Sequence, residues 1–457
     1  MSPEEDGRMA GAGLVIAGAL LGGVFPLAPL IAGAFGGLAL LAAVIAFHPR
    51  VVLLAVLPAA FIPVRVGSGL IEMSIADAIL VLGILAALPR IHAIHGFVRG
   101  LAQIVAFYLA ALIPVVVASP TIPAALEWAH RGALVGGGLL VGAAVARLQQ
   151  ERPAILLFLA ASTAISIAAC VTALRTGFDP AFPLGISKNH AGGLITAGLL
   201  ILAAAPTRLG RRTSIGLAIV LFIGLLATQS RGAMVALFAG IGFLLLRRDA
   251  NIRDPRVITL LVAGASAALF SLASLTSEEA LPSSVRISSL SSRAEFARVA
   301  YNYWREAPLL GQGIRYYRDD ERFEFPEPLV DEALYGDDEK PHPHNLLLEV
   351  LSESGAQGLI ATAVLVVGAI VISVRLRSAW GDAAGAVLIG AVVAGSLDVF
   401  WVAGKMTVPW VIIGIGAGVR EQRASNHRQI HLANGLSPDP PSLAIRKRTS
   451  ALARAPW

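Results

Sequence analysis

Apolar runs of about 15–20 residues repeat along most of the chain, separated by short polar turns, and that length matches the hydrocarbon thickness a helix must cross. By this alternation, spans fall near residues 9–25, 28–47, 51–64, 75–89, 100–118, 131–147, 153–174, 190–206, 214–229, 232–247, 257–274, 352–374, 381–399 and 406–419. Several are short enough to merge or re-enter, so the expected architecture is an all-α polytopic transmembrane bundle of about 12–14 spans. One long interruption breaks the rhythm. Between the runs at 257–274 and 352–374 lies a polar island, roughly Ser274 to His344, that a bundle of this kind has no structural need for. The expected division is a bundle over 1–274, a loop over 275–345, three further helices over 346–419, and a basic, disordered tail over 420–457.

Composition removes the soluble alternative: 56% of residues are hydrophobic and 14% charged, with a mean hydropathy of +0.72. Cys170, the sole cysteine, sits inside an apolar run, so neither a disulfide framework nor a cysteine metal site is available. Met1–Arg8 is acidic and lacks the basic start of a cleavable signal, so Met9–Val24 reads as a retained first span. Basic residues cluster in alternate turns, at Arg50, Arg90–Arg99, Arg147–Arg152, Arg208–Arg212, Arg247–Arg256, Arg375–Arg377 and Arg420–Arg423. The positive-inside rule makes those turns cytoplasmic, which puts the large loop outside and both termini inside. The net charge of +6 therefore reflects the cytoplasmic face and a tail near anionic headgroups, not nucleic-acid binding.

With sides assigned, the outer-face cations are few: Arg65, Arg131, Arg175, Lys188, Arg231, Lys405 and the loop arginines. Arg231 follows Thr228-Gln229-Ser230 and precedes Gly232, in a tight break between two apolar runs. A charge at that depth is costly, so it reads either as a functional group or as an anchor that snorkels or pairs with Asp77. Within the loop, Ser292-Arg293-Ala294-Glu295 has capping-box spacing, and Phe296, Val299, Ala300, Tyr303 and Trp304 recur at helical intervals before Pro308. That predicts an amphipathic helix over the outer mouth of the bundle. Gly311-Gln312-Gly313 reads as a turn. His344, between Pro343 and Asn345 at the head of an apolar run, has the position and the near-neutral imidazole that suit a general base. A metal site through His342 and His344 is disfavoured by their alternate spacing, and the acidic stretch Asp331–Glu339 reads as solvated surface, so neither metal nor cofactor is expected.

Three stretches then carry a resemblance: Thr-Gln-Ser-Arg-Gly at 228–232, the stretch from Ser292-Arg293 to Pro308-Leu309-Leu310-Gly311-Gln312-Gly313, and His344-Asn345-Leu-Leu-Leu-Glu running to Glu353-Ser354-Gly355-Ala356-Gln357-Gly358. Over about residues 185–375 the chain resembles the O-antigen ligase and polymerase superfamily, with weaker likeness at Ser187-Lys188-Asn189-His190-Ala191 and Ser74-Ile75-Ala76-Asp77. The resemblance implies a glycosyltransferase of the GT-C type in the bacterial cytoplasmic (inner) membrane. Such an enzyme moves a glycan from an undecaprenyl-diphosphate carrier to an external lipid, glycan or protein acceptor, without metal and with inversion. It places the family's helix-break arginine on Arg231, its loop arginine on Arg293 with Arg286 as the alternative, and its histidine on His344. Ser230, Asn345 and Lys188 are supporting residues. A ligase is preferred over a polymerase on the compactness of one large outer loop. The competing class, a lipid-linked glycan transporter or flippase, predicts polar residues spread through many span centres and two repeating halves, and neither pattern is visible.

Overall fold

The computed structural model describes residues 48–68, 71–91, 96–247, 296–316, 343–397, 401 and 404–433. Spans expected at 9–25, 28–47 and 257–274 lie outside the described residues, as do Arg286, Arg293, His342, the acidic stretch of the loop and the end of the tail. The described chain runs α1 (Pro49–Ala59), β1 (Arg65–Ser68), β2 (Ile71–Ser74), α2 (Ile75–Ala87), α3 (Gly96–Ala118), α4 (Ile122–Arg147), α5 (Glu151–Arg175), α6 (Lys188–Ala204), α7 (Arg211–Thr228) and α8 (Arg231–Arg247). After the loop come α9 (296–306), α10 (Leu346–Arg375), α11 (Ala379–Gly395) and α12 (Thr407–Ala433). Among described residues the strands form one antiparallel hairpin, β1 with β2, in register from Arg65–Ser74 to Ser68–Ile71.

The α3, α4, α5, α7 and α10 helices are each long and apolar enough to cross a bilayer, and α1 and α11 are shorter apolar helices. The chain is thus an all-α, polytopic, integral membrane protein. Capping explains why several helices begin earlier than the apolar runs suggest. Thr121 accepts the Ala124 N–H at 3.1 Å, so α4 starts at Ile122 rather than 131. The α2 helix begins with a reciprocal capping box, Ser74 Oγ accepting from the Asp77 N–H at 3.0 Å and Asp77 Oδ2 from the Ser74 N–H at 3.3 Å. Asp77 also meets the His130 ring at 3.0 Å, so its partners are Ser74 and His130, and the alternative pairing with Arg231 is not the observed one.

The tightest helix pair is α4 against α12, and its cause is small residues on both faces. A Cβ on Gly142 would overlap the Val411 carbonyl, and one on Gly414 would overlap the Leu139 carbonyl, so the two backbones touch directly. The tail expectation needs correction at its start: α12 continues as helix through Ala433 instead of ending at 419. Good helix formers such as Arg420, Glu421, Gln422, Arg423 and Ala424 sustain it. The Glu421 carboxylate also accepts the Val98 N–H at 3.0 Å, satisfying a donor of the first turn of α3.

Candidate functional site

Four chain segments converge at one end of the bundle. Helix α7 closes with Gln229 in a left-handed conformation, φ 50°, and the Gln229 amide donates to the Phe178 carbonyl at 2.7 Å. Ser230 is buried in the break: its hydroxyl donates to Asn189 Oδ1 at 3.0 Å and accepts from the Ala233 N–H at 3.4 Å, starting α8. Arg231 follows as the first residue of α8 and is exposed. A guanidinium at the positive end of a helix dipole makes a local field suited to an anion. Lys188 and Asn189 open α6, so the Ser230–Asn189 bond ties the start of α6 to the start of α8.

His344 and Asn345 open α10. The Asn345 side chain accepts from the Leu347 and Leu348 N–H groups at 3.0 and 3.1 Å, and its amide donates to the Ser396 carbonyl at 3.0 Å. It is therefore a structural cap, and Asn345→Ala is expected to cost about 1–2 kcal/mol by stranding those groups. A melting temperature equal to wild type in detergent would contradict that assignment. His344 adopts φ 47°, a left-handed conformation uncommon for a side-chain-bearing residue and often associated with sites where placement matters. Its ring lies 6.1 Å from that of Phe296 on α9, centroid to centroid.

The residues next to Arg231 and His344 meet the same stretch of chain. A Cβ on Gly232 would lie 3.6 Å from Leu397 Cβ and 3.9 Å from the Ala394 carbonyl, while Asn345 bonds Ser396. The backbones of Arg231–Gly232 and His344–Asn345 thus flank the end of α11 and the turn after it. Beside them, a small, partly open crevice of about 20 Å³ is lined by Gly193, Thr196, Ala197, Ala394 and the buried Lys405, among others. Among described residues no group of three or more His, Cys, Asp or Glu is arranged to hold a metal ion.

The amphipathic loop helix is present as α9: Phe296, Val299, Ala300 and Tyr303 form a buried cluster, with Tyr316 and Leu348 packed on it. What the sequence reading missed is how that loop is fastened. Leu309–Gly313 lies in a break of α10 at Gly355, whose φ is 60° and ψ −159°. The Gln312 and Gly313 N–H groups donate to the Ser352 and Glu353 carbonyls at 2.9 Å each. In return, the Ala356 and Gln357 N–H groups donate to the Pro308 and Leu309 carbonyls at 2.9 and 3.1 Å. The two glycine motifs of the resemblance are therefore the two halves of one joint. Also missed was the burial of Arg131, expected on the outer face but found 1% exposed between Glu127, Glu349 and Glu353. The available signal was spacing: Glu127 and Arg131, and Glu349 and Glu353, each stand four residues apart on a helix.

Residues 216–363 match the family model described as O-antigen ligase. The match bears out the resemblance to the O-antigen ligase and polymerase superfamily, and it takes in Ser230, Arg231, Arg286, Arg293, His344 and Asn345. No curated protein matches the chain.

Proposed function

We propose that this membrane protein, whose 216–363 segment matches the O-antigen ligase family, transfers a glycan from undecaprenyl diphosphate to an acceptor hydroxyl at the extracytoplasmic face of the inner membrane. The observation that supports the reading is that Gly232, next to Arg231, and Asn345, next to His344, both approach residues 394–397. An anion-attracting helix start and an imidazole on the same rim are the two elements such a reaction requires.

His344 takes the proton from the acceptor hydroxyl as the oxygen attacks the anomeric carbon. The bond from that carbon to the diphosphate oxygen breaks, the diphosphate departs with the electron pair, and configuration inverts. Guanidinium forks grip the leaving oxygens bidentately and keep their charge at any working pH, which suits Arg231 together with Arg293 or Arg286 from the loop. Ser230 holds the start of α8 in place through Asn189, and Lys188 supplies a further cation on the neighbouring helix start.

A ligase with a lipid-core acceptor is the preferred reading, and the acceptor panel decides it against a polymerase, which would use the lipid-linked glycan, and a protein oligosaccharyltransferase. Purified protein is given an undecaprenyl-diphosphate oligosaccharide and, in parallel, a lipid, a lipid-linked glycan and a protein acceptor. Arg231→Ala and Arg293→Ala are each expected to lower transfer by about 10²-fold or more, the scale of losing one group that stabilises developing charge. Rates are expected to be unchanged by EDTA, because fixed guanidinium charge serves the diphosphate. Transfer abolished by EDTA and restored by a divalent ion would overturn the metal-free mechanism. Full activity of Arg231→Ala would remove that residue from the site.

A further inference from the structure

Arg131 sits on α4 immediately before a π-helical turn, Ala133–Gly137, and is 1% exposed. Its Nε donates to Glu127 Oε1 at 3.2 Å and its Nη2 to Glu353 Oε2 at 2.6 Å, with Glu349 Oε1 at 3.9 Å. Glu127 also faces the His130 ring at 3.5 Å, and that ring's other nitrogen meets Asp77 at 3.0 Å. Trp401, in the connection between α11 and α12, lies flat under the guanidinium at 5.0 Å and stacks on Tyr108. This enclosure rules out a substrate-gripping role. A cation already surrounded by three carboxylates and almost closed to solvent has no face left for a diphosphate.

Glu353 looks two ways. While Oε2 holds Arg131, Oε1 accepts the Arg315 N–H at 3.0 Å, and the Glu353 carbonyl accepts the Gly313 N–H. Arg315 has φ 69°, a conformation that its bonded surroundings must enforce. Beyond it, Tyr316 packs edge-on against Tyr303 of α9 at 5.3 Å, and Phe296 of the same helix packs against the His344 ring. The Phe296 contact of His344 is thus reached within a few contacts of this one ion pair.

We infer that Arg131 and Glu353 are a positioning pair. From inside the bundle they set the loop joint at 308–315, and through α9 they set the placement of His344, without touching substrate. The inference rests on the proposed role of His344. A buried ion pair is costly to desolvate and is often replaceable by apolar packing, so a merely structural pair would tolerate substitution or simply lose stability. A positioning pair predicts something narrower.

The test uses the full chain in lipid nanodiscs with Glu353→Gln, which preserves volume, Glu353→Asp, and Arg131→Lys, which keeps charge but loses the planar fork. Turnover of the undecaprenyl-diphosphate oligosaccharide, binding of undecaprenyl diphosphate, and hydrogen exchange at the Gly313 and Arg315 amides are measured together. In Glu353→Gln and Arg131→Lys, exchange at both amides is expected to rise about tenfold or more as the joint opens locally. Turnover is expected to fall by about tenfold or more, as misplaced catalytic groups do, with undecaprenyl diphosphate binding within about twofold of wild type. Glu353→Asp should recover part of both. Unchanged exchange at Gly313 and Arg315 would overturn the inference. So would a loss of undecaprenyl diphosphate binding with the joint intact, which would make Arg131 a substrate ligand. Failure of both Glu353→Gln and Arg131→Lys to fold would reduce the pair to a folding element. If wild type transfers no glycan to any acceptor, the proposed function fails, whereas the exchange data still decide whether the pair governs the joint.

Discussion

His344→Asn is expected to reduce glycan transfer by about 10²–10⁴-fold, the range for loss of a positioned general base. Asparagine is the informative replacement because it tolerates the left-handed backbone that His344 adopts, φ 47°, and so separates loss of the imidazole from strain in the chain. The ring is half-buried and touches Phe296 rather than filling the main core, so the variant should insert and melt near wild type. Binding of undecaprenyl diphosphate should survive, since the group proposed to face the diphosphate on this rim is Arg231, on another helix. Wild-type transfer by His344→Asn would remove the base assignment. A large loss of melting temperature would instead show that His344 is needed mainly for structure.

The second large effect concerns stability. Gly355→Ala is expected to destabilise the protein by about 3 kcal/mol or more, from a backbone region nearly closed to other residues combined with overpacking. Gly355 has φ 60° and ψ −159°, and a Cβ there would overlap the Leu309 carbonyl group. Gly311 faces it across the joint with φ 68°, where a Cβ would overlap the backbone between Glu353 and Ser354. Alanine at either position must push apart the strands of chain that carry four cross-joint hydrogen bonds. The expected readout is a lowered melting temperature together with protease cleavage near residues 308–316, and transfer should fall with it. A variant that melts and resists protease like wild type would show that the joint does not hold the loop.

Much of the scaffold was readable from local pattern. The spans expected at 100–118, 153–174, 214–229 and 232–247 correspond closely to α3, α5, α7 and α8, because partition into lipid sums over consecutive residues and needs no partner. Phe296, Val299, Ala300 and Tyr303 were placed on one buried face for a similar reason, since helical spacing decides which side chains share a side. Glycines 311 and 313 were rightly read as turn formers, but the turn they form is shaped by residues 352–357, too distant for spacing to reveal. Ser74 and Asp77 looked family-like and proved to be a helix cap that also reaches His130. The burial of Arg131, read only as an outer-face cation at the head of an apolar run, was not foreseen, because its partner Glu353 is 222 positions away.

Periodicity, charge placement and short motifs were sufficient for the membrane-spanning class, the family likeness and the candidate imidazole and guanidinium, because each is a property of neighbouring residues. The approach of Gly232 and Asn345 to residues 394–397, the clamp of the large loop on a broken helix, and the enclosure of Arg131 by three carboxylates all depend on contacts between remote segments. Such contacts become defined only when the helices pack. A buried charge is tolerated only where its partners arrive with it, and no single stretch of sequence contains all of the partners of Arg131.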